Sequence, residues 1–201
     1  WETDSWKEYY NSVISVSKSL IASGISKDDK VSICSYNRKE WSQCYSAIHM
    51  INAVAVGVYH TSSAEEVEWV VNNSDSKIIF IGNNPNDNNE NNKKPSYRLL
   101  EKIENLKKLE LVVIMNGEDL LDHPKIISWN EFISRGSKSS REQIIDRFNK
   151  ISLDDVSSLI YTSGTTGKPK GVELTFRNWS FTMNSLMKFL RFNPRDSIVS
   201  W

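Results

Sequence analysis

Apolar side chains recur at helical spacing over the first part of the chain. Ser5 and Glu8 stand at the spacing of a capping box, in which each side chain accepts a backbone N–H of the other residue. Apolar positions then follow at intervals of three and four up to Leu20, and Gly24 ends the run. The pattern predicts an amphipathic helix at the start of the fold.

Strand and helix patterns then alternate. Three apolar runs predict strands: KVSICSY at 30–36, which alternates, AVAVGVY at 53–59 and KIIFI at 77–81. Two helical stripes lie between them; Asn37 can cap the first, and Ser63 with Glu66 forms a capping box before the second. Because the strands are apolar on both faces and are separated by amphipathic helices, we expect an α/β fold. Its form would be three layers, with a mostly parallel sheet flanked by helices.

The segment NNPNDNNENNKK, at residues 83–94, has almost no apolar side chain. It cannot offset the entropy cost of ordering its backbone, so we expect a mobile surface insert. It lacks the glycine and the closing bidentate glutamate of a calcium-binding loop.

Further patterns predict a helix at 96–108, a strand at 111–115, short helices at 129–135 and 142–148, and a strand at 155–161.

Charge and cysteine content narrow the class of protein. Lys plus Arg and Asp plus Glu each number 25, so the chain has no long-range field that would draw it to nucleic acid. The most apolar stretch, 47–59, is interrupted by polar residues and is shorter than the roughly 18 residues that a membrane span needs. Cys34 and Cys44 lack metal-ligand spacing, which favours core thiols in a reducing compartment. The three histidines have no paired-ligand spacing and are expected to be structural or solvated rather than catalytic.

The stretch YTSGTTGKPKG, at residues 161–171, carries the candidate chemistry. Its glycines allow close approach of a ligand to backbone N–H groups. Its hydroxyls suit phosphate oxygens, and two lysines add full charge. Pro169 biases Lys168 toward an extended conformation, which would turn the amines of Lys168 and Lys170 to one side. The pattern predicts a polyphosphate site.

Two alternatives compete with this interpretation. The P-loop of NTPases needs a longer spacing than that from Gly164 to Gly167, has a hydroxyl residue where Pro169 stands, and runs directly into a helix. Here the segment GVEL after the loop predicts a strand. The second alternative is a flexible polar turn, since Gly, Ser and Thr are common in turns; the order of hydroxyls, glycines and lysines favours the phosphate site.

The segment YTSGTTGKPKGV resembles the phosphate-binding signature of the adenylate-forming superfamily, which includes acyl-CoA synthetases, luciferases and the adenylation domains of peptide synthetases. Other segments resemble the long-chain acyl-CoA synthetases, most closely their bubblegum-type branch: SWKEYY, SYNRKEW, AVAVGVYHTSSAEEVEWVVNNSDSKIIFI and DDVSSLIYTSGTTG. The resemblance implies that residues 1–201 are the N-terminal portion of an AMP-binding (adenylation) domain, with a surface insert at 83–94 and the C-terminal remainder of the enzyme absent.

The resemblance implies a two-step reaction. A fatty acid carboxylate attacks the α-phosphate of ATP to give acyl-adenylate and pyrophosphate, and the thiol of coenzyme A then displaces AMP. Negative charge builds on the leaving phosphates, so donors aimed there lower the barrier. By position in the family motif, Lys170 is the catalytic charge partner, Lys168 a weaker one, and Thr162 a ligand of the accompanying Mg²⁺. The residues of the phosphate cradle are Thr162, which thus has both roles, Ser163, Gly164, Thr165, Thr166 and Gly167.

The sequence departs from the family pattern just after the loop, where Phe176 occupies the usual histidine position. Thr175 still suits an N-cap, and we expect the apolar stripe of the helix that follows to be core. Two other functions stay open: adenylation of an aryl, short-chain or amino acid, and a non-catalytic module that binds nucleotide or a partner. The expected location is cytoplasmic or peripheral on the cytosolic face of a membrane, and we expect this portion alone to be inactive.

Overall fold

The computed structural model describes residues 3–84, 94–116, 122–162, 167–190 and Asn193. Within them the strands are β1 (Lys30–Ser35), β2 (Val54–Val58), β3 (Ile78–Gly82), β4 (Leu111–Ile114), β5 (Ile126–Ser128), β6 (Val156–Thr162) and β7 (Lys170–Thr175). The helices are α1 (Trp6–Ala22), α2 (Lys39–Met50), α3 (Ala64–Asn73), α4 (Pro95–Leu100), α5 (Trp129–Arg135), α6 (Arg141–Phe148) and α7 (Phe176–Leu190).

The strands form one sheet in the order β5-β4-β3-β1-β2-β6-β7. Every neighbouring pair is parallel except β6 and β7, which are antiparallel. Helices α1, α2, α5 and α6 cover one face, and α3 and α4 cover the other. The predicted three-layer α/β fold with a mostly parallel sheet is therefore confirmed.

The core has two halves because successive residues of a strand point to opposite faces of the sheet. In β1, Ile33 packs with the cluster under α1 and α2, whereas Cys34 packs with the cluster under α3. Both faces are covered, so β1 is buried from Val31 to its end, polar Ser32 and Ser35 included. Cys34 and Cys44 are buried free thiols, as predicted, and burial raises the pKa of Cys34 to about 12.

Local signals located most helix starts. The capping boxes of Ser5 with Glu8 and of Ser63 with Glu66 are both present. The prediction for α2 is wrong: Arg38, not Asn37, is the N-cap, and its side chain makes no capping hydrogen bond. A favourable residue type near a helix start is not sufficient when the chain enters the helix one residue later.

Three further expectations need correction. The helix predicted at 96–108 ends at Leu100, and a 3₁₀ turn over Ile103–Asn105 follows, which lets Ile103 and Leu106 reach the core. The strand β5 was not predicted, since it has only three residues. Asn83, expected at the start of a surface insert, is 2% exposed; residues 85–93 of that insert lie outside the described part.

The helix α7 differs from expectation in its surroundings. Thr175 caps it, since its hydroxyl accepts the backbone N–H of Asn178 at 3.4 Å. None of its residues is buried in the described part of the chain, although its apolar stripe was expected to be core. It lies at the β7 edge of the sheet, where Trp179 meets Tyr45 edge-on with ring centres 6.5 Å apart. No described neighbour covers the outer side of this edge.

Candidate phosphate-binding site

The glycine-rich loop connects β6 to β7, as the sequence predicts. Thr162 and Lys170 are paired across the two antiparallel strands, so they bracket the loop at its base. Gly167 has φ +104°, a conformation that favours glycine. Ser163, Gly164, Thr165 and Thr166 lie outside the described residues, and their assignment to a phosphate cradle stays a prediction. Because a strand follows the loop, the geometry differs from that of an NTPase P-loop.

The base of the hairpin is fixed against α3 by Tyr161. This side chain is buried, and its hydroxyl donates to Asn73 Oδ1 at 2.7 Å. Burial raises the pKa of Tyr161, which keeps the hydroxyl a donor. A Cβ at Gly171, the residue paired with Tyr161, would lie 3.0 Å from the tyrosine Cζ. A side chain at position 171 would therefore crowd the Tyr161 ring, which favours glycine at the end of the signature for a steric reason.

The outgoing limb of the loop also meets α3. The indole Nε1 of Trp69 donates to the backbone carbonyl of Pro169 at 2.9 Å. The ammonium of Lys168 lies 4.2 Å from the centre of the same indole ring. Lys170 is exposed at the base of the loop, opposite Thr162. The two lysines therefore differ in their surroundings, which sequence spacing did not predict.

Two cavities open beside this hairpin at the carboxyl ends of the parallel strands, where open α/β sheets bind ligands. One has a volume of about 320 Å³ and lies between β2, the start of α3 and Pro169. The other, of about 370 Å³, lies over β1, β2 and β6 and is lined in part by Trp41 and His60. Gly57, Val58, Tyr59 and Tyr161 line both cavities. No atom lies within 4 Å of a Cβ built on Gly57, so the wall there is open.

The chain between β2 and α3, which forms one wall of the smaller cavity, is held by Arg98 of α4. Its guanidinium donates to the backbone carbonyls of His60, at 2.7 Å, and of Ser62. The ring of His60 in turn lies against the Tyr36 ring, with ring centres 3.9 Å apart and the ring planes tilted by 36°. Burial and the nearby guanidinium of Arg98 both lower the pKa of His60. Sequence reasoning missed Arg98, because no local pattern links it to a loop so far back in the chain.

The region of Phe176, the residue at the usual histidine position, contains a different histidine. His49 of α2 meets the Phe176 ring edge-on, with ring centres 5.4 Å apart. Burial lowers the pKa of His49 to about 4, so the imidazole is neutral at pH 7. Its Nε2 is 3.0 Å from the backbone carbonyl of Ser157 and, as a neutral donor, satisfies that carbonyl. His49 is thus a structural residue, as the sequence suggested.

Metal binding has little support from protein side chains alone. Among the described residues, no group of three or more His, Cys, Asp or Glu side chains could hold a metal ion. Thr162 offers one exposed hydroxyl at the base of the loop. Since Mg²⁺ is commonly held by few protein groups together with substrate phosphates, this arrangement fits Mg²⁺ only as a companion of a bound polyphosphate.

No described helix has the length and apolar character to traverse a bilayer.

The chain is similar in sequence to known enzymes over its whole length. A sequence profile described as AMP-binding enzyme matches residues 1–201. Long-chain-fatty-acid–CoA ligase ACSBG2 of Xenopus laevis is 29% identical over 191 residues, which are 95% of this chain and 25% of that protein. Long-chain-fatty-acid–CoA ligase FadD15 of Mycobacterium tuberculosis is 30% identical over 178 residues, 89% of this chain and 27% of that one.

Solved structures share the fold. Coronafacic acid ligase of Pectobacterium brasiliense matches with a TM-score of 0.74 at 22% identity, over 97% of this chain and 34% of that one. The anthranilate CoA ligase AuaEII, solved with anthranoyl-AMP, matches with a TM-score of 0.70 at 21% identity, over 89% and 31%. The chain therefore belongs to the AMP-binding enzyme family. It spans about a quarter of the length of the curated relatives described above.

Proposed function

We propose that the complete protein activates a long-chain fatty acid with ATP, first to acyl-adenylate and then to acyl-CoA, and that this chain supplies the loop that binds the ATP phosphates. The observation that carries the proposal is the hairpin β6–β7. It presents the glycine, hydroxyl and lysine signature between Thr162 and Lys170, within a chain whose full length matches the AMP-binding family.

The residues of the hairpin suit the first step of this reaction. In that step the carboxylate oxygen forms a bond to the α-phosphorus of ATP, and the bond to the pyrophosphate oxygen breaks. Lys170 would face the negative charge that builds on pyrophosphate, where preorganised charge is most effective. The loop hydroxyls and the backbone around Gly167 would hold the phosphate oxygens. Thr162 would hold Mg²⁺ together with those oxygens, and the ion would neutralise phosphate charge.

The acid and the cellular location are parts of the same proposal. The names of ACSBG2 and FadD15 favour a long-chain fatty acid and coenzyme A as co-substrates. The names of structures with the same fold, an anthranilate ligase and a coronafacic acid ligase, keep another carboxylic acid as the second candidate. We further propose a cytoplasmic or cytosolic-face location, in keeping with the unpaired Cys34 and Cys44.

The experiment is ATP–pyrophosphate exchange by the full-length protein with a panel of acids. We expect exchange that depends on palmitate-type acids. Lys170→Met should reduce its kcat by about 100- to 1000-fold, the range for loss of one preorganised donor to transition-state charge. Exchange only with benzoates or amino acids would favour the second candidate. Absence of exchange with every acid, in a protein that is folded, would favour a non-catalytic module.

A further inference from the structure

The helix α3 presents two side chains one turn apart to the β6–β7 hairpin. Trp69 and Asn73 are separated by four residues and therefore lie on one face of the helix. Asn73 accepts the hydroxyl of Tyr161 at 2.7 Å on the strand that enters the loop. Trp69 donates to the carbonyl of Pro169 at 2.9 Å on the limb that leaves it. One helical face thus contacts both ends of the loop.

The contact at Pro169 lies just beyond the end of the strand ladder. The ladder between β6 and β7 reaches only to the pair Thr162 and Lys170, so Pro169 lies just outside it. Proline has no N–H to donate. The indole N–H of Trp69 supplies a hydrogen bond to the Pro169 carbonyl on this limb of the loop. The half-buried indole is itself packed against the apolar cluster beneath α3.

Lys168 adds a second contact to the same indole. Its ammonium lies 4.2 Å from the ring centre, within the range of a cation–π interaction. An ammonium engaged with this ring is directed toward α3. Lys170 has no such contact among those found in the described residues and is exposed at the base of the loop. The two lysines of the signature therefore have different environments: Lys168 contacts the Trp69 ring, and Lys170 is exposed beside the loop.

We infer that Trp69 is a positioning residue for the phosphate loop, and that Lys168 anchors the loop on the Trp69 ring while Lys170 alone faces the nucleotide phosphates. The kinetic consequence of this inference rests on the proposed function. The anchor itself, which is the contact of Trp69 with Pro169 and Lys168, is a property of the fold. Trp69 fixes the outgoing limb before ATP arrives, so less ordering is needed on binding.

The anchor is tested first without any reference to activity. Hydrogen exchange of the full-length protein is followed in peptides that cover residues 167–172. Trp69→Phe removes the indole N–H and keeps an aromatic ring, and we expect exchange about 2- to 10-fold faster there, as for loss of one hydrogen bond. The matched control is Trp129→Phe, another half-buried indole, on the opposite face of the sheet. Unchanged exchange in Trp69→Phe, or an equal effect of the control, would overturn the anchor.

The kinetic consequence is tested by ATP–pyrophosphate exchange. Trp69→Phe should raise the KM for ATP about 2- to 10-fold and leave kcat within about two-fold, because positioning of the loop affects binding rather than the developing charge. Lys168→Met should raise KM about 2- to 5-fold, as expected for a cation–π contact, and Lys168→Arg should restore it. A general loss of fold would lower the melting temperature and would not give this split.

A double-mutant cycle separates the anchor from direct phosphate binding by Lys168. If Lys168 acts through the ring, Lys168→Met has no further effect on KM in a Trp69→Leu background. The comparison requires that the double variant and Trp69→Leu alone have the same melting temperature. If Lys168 contacts phosphate, the two effects multiply, and the division of tasks is wrong. If the wild-type protein shows no ATP–pyrophosphate exchange with any acid, the proposed function fails. Amide hydrogen exchange still tests the anchor in that case.

Discussion

Gly57 and Gly82 occupy the two strands that flank β1, yet their surroundings differ. A Cβ built on Gly82 would lie 1.9 Å from Ser35 Oγ and 2.7 Å from Ser35 Cβ. The latter contact cannot be relieved by rotation of the serine side chain, because Cβ is fixed by the backbone. A Cβ on Gly57 would meet no atom within 4 Å. The close approach of β3 to β1 therefore requires glycine at position 82 and not at position 57.

Gly82→Ala should destabilise the protein by about 1–3 kcal/mol, the range for an overpacked core site. Gly57→Ala is the matched control and should change stability by less than about 0.5 kcal/mol. The measurement is the melting temperature of both variants beside the wild type. Equal melting temperatures for the two variants would mean that Ser35 and the end of β1 yield without cost, contrary to this argument.

At the scale of elements, the sequence predicted those features that depend on residues close together in the chain. The capping boxes of α1 and α3 follow from residues three apart, and the loop between two strands follows from the composition of GVEL. The end of α4 was missed because burial of Ile103 and Leu106 depends on the packed core, which periodicity does not describe. Burial of Asn83 was missed for a similar reason, since its partners come from two other segments.

Asn83 ties together the segments on either side of the Asn-rich insert. Its side-chain amide donates to Ser96 Oγ at 2.8 Å, and its Oδ1 accepts the Ser96 N–H at 3.1 Å. Asn116 adds a second pair of bonds: its Oδ1 accepts the Asn83 N–H at 3.1 Å, and its amide donates to the Asn83 carbonyl at 2.8 Å. These bonds join the end of β3 directly to the start of α4 and to the end of β4.

Replacement of residues 85–93 by a short Gly-Ser linker should therefore leave the melting temperature nearly unchanged. Asn83→Ala, with the insert intact, should destabilise by about 1–3 kcal/mol, because buried partners lose their hydrogen bonds. Asn130→Ala, at an exposed position of α5, is the matched control. A large fall in melting temperature on replacement of 85–93 would show that the insert itself is packed.

At the scale of the whole molecule, the candidate site joins segments that are far apart in sequence. Trp69 and Pro169 are separated by 100 residues, and Arg98 reaches back 38 residues to His60. The signature at 161–171 indicated the chemistry, because glycine, hydroxyl and lysine types are visible in one short segment. The second wall of the site depends on how α3 and α4 dock on the sheet. No pattern within either helix indicates that docking.

The helix α7 leaves a concentrated apolar surface at the β7 edge of the sheet. Phe181 and Phe189 are 74% and 87% exposed, and their neighbours on the helix include exposed Met183 and Met187. Soluble proteins rarely expose a contiguous apolar patch of this kind, whereas single exposed apolar side chains are common. Trp6, on α1 and 86% exposed, belongs to the second type.

The 201-residue chain, produced by itself, should therefore bind a hydrophobic dye such as ANS and self-associate as its concentration rises. The double variant Phe181→Ser and Phe189→Ser should lower both signals, because it divides the patch on α7, whereas Trp6→Ser removes an isolated side chain and should leave them unchanged. Dye fluorescence and sedimentation velocity measure the two effects. Equal behaviour of all three proteins would mean that α7 is not the source of the exposed apolar surface.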